Sequence, residues 1–99
     1  MSATTDGDIV AGLTAFQRDI LRVLAKADNP TGLAVKVALA DYYSEEITHS
    51  RLYQNLDELV KCGLVDKQRR DQRTNEYALT DTARTALTNR DAWATGDAE

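Results

Sequence analysis

Ninety-nine residues with a 42% hydrophobic fraction suffice for one small domain with a modest core, which excludes wholesale disorder. The formal charge of −4 sets the chain apart from uniformly basic nucleic-acid binders, and no apolar run approaches the ~18 residues of a membrane span. The single cysteine, Cys62, allows no internal disulfide and the acid-bearing start MSATTDGDIVAG is no signal peptide, so the expected compartment is the cytoplasm.

Residues 1–12 are small, polar and aperiodic, and read as a flexible N-terminal arm. Thr14-Ala15-Phe16-Gln17 reads as a capping box that opens the first helix. Leu13, Phe16, Ile20, Leu24 and Ala27 then recur at helical spacing, and Asn29-Pro30 ends the helix near Asp28. Thr31-Gly32 starts a second helix that runs to about Tyr43, with Val35, Ala38, Leu39 and Tyr42 as its inward set. After the turn Ser44-Glu45-Glu46-Ile47, a third helix extends from a Thr48 cap to Cys62. Its inward residues are Leu52, Leu56, Leu59 and Val60, and Gly63 is its stop.

Residues 64–69 and 75–79 read as two strands with Leu64, Val65, Tyr77 and Leu79 as apolar side chains. Their connection, Arg70 to Thr74, lacks glycine, so a long, flexible tip is expected rather than a tight primed turn. Thr80-Asp81 caps a last helix, where Ala83, Ala86, Leu87, Arg90 and Trp93 follow at three- and four-residue steps. That helix has too little apolar surface to stand alone. The fold class is therefore α+β and mostly helical: three helices, a two-stranded β-wing and one C-terminal helix, a winged helix-turn-helix acting as a dimer. Residues 13–80 are the expected DNA-binding unit and residues 81–99 the expected dimerisation helix and tail, on the observations that follow.

Positive charge is local. Lys61, Lys67, Arg69, Arg70 and Arg73 face only Asp66 and Asp71 within residues 61–73, while both flanking segments are net acidic. With its leucines inward, the third helix turns Thr48, Ser50, Arg51, Gln54, Asn55 and Glu58 toward solvent, and His49 lies in its first turn. Arginine pairs with guanine, asparagine and glutamine with adenine, and serine or threonine with bases or phosphate, so these types fit a duplex groove. A solvated polar helix face has the same composition. The wing cluster of Lys67, Arg69, Arg70, Arg73 and Thr74 is sharper, because hairpin arginines enter the negative potential of a narrow minor groove. Charged edge strands also serve to discourage aggregation. Tyr53 reads as a shelf beside the core, with a phosphate contact by its hydroxyl as the alternative, and Cys62 as inert packing, with a redox or metal role as the alternative. Trp93 has no evident partner within the chain, so Leu87, Arg90 and Trp93 are the candidate dimer contacts; loose packing of Trp93 on the first helix is the alternative. In molar salt, Asp57, Glu58 and Asp66 are candidates for binding cations together with DNA.

Catalysis finds no support. His49 and Cys62 are thirteen residues apart on one helix, about 20 Å along its axis, too far for a nucleophile–base pair. No metal-ligand spacing, phosphate loop or nucleophile elbow occurs, so no catalytic residue, cofactor or metal is assigned, and nothing indicates a small-molecule effector. The remaining rival is a winged-helix module that binds protein in a larger transcription or DNA-processing complex.

The succession LTAFQRDIL, TGLAVKVALADYY, ITHSRLYQNLDELVKCGLVDK and RTNEYALTDTAR resembles a PadR-type winged-helix regulator of haloarchaeal kind. Leu52-Tyr53 with Leu56 and Leu59, closed by Gly63-Leu64-Val65, carries the resemblance, together with Tyr77-Ala78-Leu79-Thr80 before a helix. It covers about residues 13–90, and MarR-like and ArsR-like proteins share much of the plan. Eleven aspartates against five glutamates and four lysines against eight arginines likewise resemble the proteins of salt-loving archaea. The resemblance implies a homodimeric transcription regulator on a near-palindromic operator.

Overall fold

The computed structural model describes residues 6–96. In chain order the elements are α1 (Asp6–Ala11), α2 (Ala15–Lys26), α3 (Gly32–Tyr43), α4 (His49–Lys61), β1 (Val65–Arg69), β2 (Asn75–Leu79) and α5 (Asp81–Thr95). Four of the helices begin alike. Thr14, Thr31, Thr48 and Thr80 sit in extended backbone, and each hydroxyl accepts from the amide three residues on, at 3.1, 3.1, 3.2 and 3.1 Å. Such a cap satisfies an orphan N–H and contributes about 1 kcal/mol. The exit of α4 is equally local: Leu64 N–H donates to Leu59 and Gly63 N–H to Val60, both at 3.0 Å, and Gly63 takes φ 78°. This is a Schellman motif, which only a residue free of a Cβ enters without strain.

Ile20, Leu21 and Leu24 of α2, Val35 and Leu39 of α3, and Leu52, Leu56 and Leu59 of α4 are fully buried together. Leu64, Val65, Tyr77 and Leu79 close that core from the wing side. Full burial of one such leucine contributes ~1.5–3 kcal/mol, so the core dominates stability. The inward set of α3 is narrower than its sequence suggests. Tyr42 is 73% exposed and Ala38 half-buried, and Leu33 and Val37 also lie outside. A second tie joins α3 to α2, where the Tyr43 hydroxyl donates to the Asp19 carboxylate. Burial, reinforced by that carboxylate, pushes the Tyr43 hydroxyl up to about 12.

β1 and β2 pair antiparallel from Val65↔Leu79 to Arg69↔Asn75. A further bridge, Thr31↔Glu76, and a 2.9 Å bond from Tyr77 N–H to the Pro30 carbonyl tie the start of α3 to the wing. The expected arm is corrected in part: residues 6–11 are helical, and Val10 is fully buried in the core. The arm packs as α1 against α5, which supplies the apolar surface that α5 lacks alone. Residues 1–5, and 97–99 of the tail, lie outside the described residues. Leu87, expected at a dimer interface, is instead buried with Ala83 and Ala86 in the monomer core. Cys62 is exposed rather than packed. Among the described residues no helix is long and apolar enough to cross a membrane.

Candidate nucleic-acid interface

With Leu52, Leu56 and Leu59 buried, the polar positions of α4 separate into an outer face and two flanks. Ser50 and Gln54 are exposed on the outer face. Thr48 is exposed but its hydroxyl caps the helix. Arg51 leans toward α2, with its guanidinium 4.0 Å from the Phe16 ring centroid and 3.8 Å from Glu45. Asn55, expected to face solvent, is half-buried: its amide donates to the Arg51 carbonyl at 2.7 Å, and its oxygen accepts from Gln17 at 3.1 Å. The helix phase explains the correction, because Asn55 and Glu58 fall on the flank that crosses α2.

On the opposite flank His49 stacks beside Tyr53, ring centroids 4.3 Å apart. Tyr53 itself lies across the first residue of α3. A methyl group at Gly32 would stand 2.0 Å from the Tyr53 hydroxyl oxygen, so the missing Cβ is what lets the ring approach.

The wing tip is ordered rather than long and loose. The Asp71 carboxylate accepts from the Arg73 and Thr74 amides, both at 2.9 Å, while Arg70 N–H donates to the Thr74 carbonyl at 2.8 Å. These bonds, led by that from Arg73, hold the Asp71 carboxyl below its ordinary value of 3.8. An aspartate that caps its own turn replaces the glycine that a tighter hairpin would need. Arg69 and Arg73 are exposed, and among the described residues neither guanidinium has an acidic partner. Arg70 lies 3.4 Å from Glu76, and Lys67 reaches back to Asp57 of α4 at 3.9 Å. Both pairs lie at the surface, though Glu76 is partly buried, and surface pairs contribute ~0–1 kcal/mol, so both cations can exchange partners at small cost. Of the acids singled out for cation binding, Asp57 thus faces Lys67, and Glu58 accepts from Gln17 at 2.8 Å.

The first turn of α4, the start of α3 and the wing open onto one cleft of about 450 Å³. His49, Tyr53, Arg70, Arg73 and Thr74 line it, joined by Thr31 and Asn75. Thr31 and Asn75 carried no such role in sequence, and Tyr53 carried it only as the alternative to a shelf. The Thr31 cap signal marked a helix start, but nothing local revealed that the start adjoins the wing. At the other end of the molecule Trp93 is 69% exposed, with the Arg90 guanidinium 5.6 Å from its ring. Arg22 of α2 pairs with Asp91 of α5.

A helix pair whose second member presents a polar outer face beside an arginine-tipped two-stranded ribbon defines a winged helix-turn-helix, the architecture of a DNA-binding regulator. The model of the transcriptional regulator PadR-like family matches residues 20–89, and the chain belongs to that family. It is similar to the haloarchaeal regulator RosR of H. salinarum. In the RosR-S1 complex structure the identity is 48% over 88% of this chain and 77% of that chain, with a TM-score of 0.85. The structure of RosR grown from NaBr gives 49% over 86% and 76%, with a TM-score of 0.82. Lactococcus lactis ZitR, a zinc-responsive MarR family member, shares the fold alone: 23% identity over 86% of this chain and 56% of that chain, TM-score 0.66. No curated protein matches the chain. The resemblance read from the residues is thus borne out at the level of family and fold.

Proposed function

We propose that this regulator acts by sequence-specific binding to duplex DNA as a homodimer. Ser50 and Gln54 of α4 meet base edges in the major groove, with Arg51 able to join them by leaving Glu45. Arg69, Arg70 and Arg73 hold phosphates or the flanking minor groove, and Thr48, His49 and Thr74 contact the backbone between them. The observation that supports this reading is that the first turns of α4 and the arginine-bearing wing share one side of the molecule, where His49 and Tyr53 line a cleft with Arg70, Arg73 and Thr74. Residues 13–80 are the DNA-binding unit in this scheme, and the 81–99 segment pairs two copies through Arg90 and Trp93. Such pairing sets two α4 helices on half-sites roughly 34 Å apart. The matching compartment is the cytoplasm, and occupancy of a promoter then blocks or recruits the transcription machinery.

A mobility-shift series with genomic fragments over a range of salt tests the proposal. Retarded fragments that share a near-palindromic sequence are expected. A chain that retards no fragment at any salt is a protein-binding module instead.

A further inference from the structure

Gln17 lies outside both the recognition helix and the wing, yet all of its amide is in use. Among the described residues it is the polar side chain buried with the core, 8% exposed. Its carbonyl oxygen accepts from the Thr14 backbone N–H at 3.2 Å, completing the capping box of α2. A capping box needs nothing more. The amide nitrogen nevertheless crosses to α4, donating to the Asn55 oxygen at 3.1 Å and to the Glu58 carboxylate at 2.8 Å. These bonds join positions 38 and 41 residues apart in the chain. Asn55 in turn donates to the Arg51 carbonyl at 2.7 Å, one turn back toward the start of α4. Next to Gln17, the Phe16 ring receives the Arg51 guanidinium at 4.0 Å.

We infer that Gln17 is a positioning residue for sequence recognition: its amide sets the rotation of α4 about its own axis, and so which side chains α4 offers to base edges. This rests on the DNA-binding reading above. The leucines of α4 hold the helix against the core, but apolar packing is non-directional and tolerates small rotations about the helix axis. A buried amide with two directed donors does not, because turning the helix breaks both bonds and leaves those donors unpaired. Leucine spacing sets the face that α4 buries, and within that face even a rotation of ~20° carries the ends of Ser50 and Gln54 off the base edges they would meet. Asn55 is therefore part of the clamp and does not read a base.

Gln17→Glu separates this role from capping. A glutamate in the box caps as well as glutamine, so α2 stays intact. Across the interface, however, the variant loses both donors and sets a carboxylate against Glu58. The double variant Gln17→Glu/Glu58→Gln reverses the pair, with the new amide donating to the new carboxylate. A duplex enriched from a random library by the native chain, and an unselected duplex of equal length, serve as probes.

The expected result is that Gln17→Glu lowers the ratio of selected to unselected affinity by about tenfold, one base contact's worth of discrimination. Binding to the unselected duplex should change little, and the double variant should recover most of the ratio. Amide hydrogen exchange of the free proteins gives a readout without DNA: faster exchange in the first turns of α4, with α5 unchanged, and recovery in the double variant. An unchanged ratio together with unchanged exchange in folded Gln17→Glu overturns the inference, as does a loss that the reversed pair leaves in place. If the native chain enriches no duplex, the DNA-binding reading fails instead, and exchange alone decides whether the clamp holds α4.

Discussion

α4 and the wing share one side of the molecule but are held by opposite means. α4 is fixed on three sides: leucines inward, Gln17 and Phe16 on one flank, and Tyr53 over Gly32 on the other. The wing is anchored at its base by Tyr77 and Leu79 and by backbone bonds to Pro30 and Thr31, and toward its tip by surface ion pairs and the Asp71 turn. A helix that must discriminate bases needs a fixed geometry, since a donor displaced by a fraction of an ångström misreads its partner. A cationic finger, the role proposed for the wing, needs chiefly charge and reach, which its exposed arginine side chains supply.

The hardest blow to this contrast is Leu56→Ala, which empties the floor under α4. A loss of ~2–5 kcal/mol is expected, read by urea unfolding, and a loss below ~1 kcal/mol would mean that α4 is not seated on the core. Trp93→Ala leaves the monomer intact and weakens self-association by about 2 kcal/mol or more, the size typical of a buried aromatic anchor. Sedimentation at graded concentration measures it, and native association in that variant removes Trp93 from the interface.

Gln54→Ala and Arg73→Ala then split the two regions. The first costs ~1–3 kcal/mol on a selected duplex and little on an unselected one. The second weakens both duplexes alike and reduces the slope of log affinity against log salt by about one contact. Equal behaviour of the two variants would erase the distinction. Lys67→Ala has a smaller effect than Arg73→Ala, because Lys67 already faces Asp57.

The smallest effect concerns the tip. The Asp71 carboxyl titrates below its ordinary 3.8, so its bonds to the Arg73 and Thr74 amides are complete above the ordinary carboxylate range and are lost as pH falls through the lowered value. NMR titration of the Thr74 amide follows this; a midpoint at or above 3.8 contradicts the turn. The opposite sign applies to Tyr43, whose tie to Asp19 is complete below its ordinary value of 10.0 and fades as pH rises toward about 12.

What the sequence determined by itself is the run of elements from α2 onward, since each boundary there depends on bonds within about five residues. The threonine caps at 14, 31, 48 and 80 and the Gly63 stop are all of this kind. Leucine spacing likewise set the inner face of α4, and the arginine cluster marked the wing. Only the tertiary structure decided which flank of each helix meets a neighbour. Asn55 and Tyr42 both changed sides, Leu87 went to the monomer core, and α1 formed where the chain alone looks aperiodic. Helix periodicity tells inside from outside, but the crossing of α2 over α4 comes from packing between segments about forty residues apart. That crossing gives Gln17 its second set of bonds.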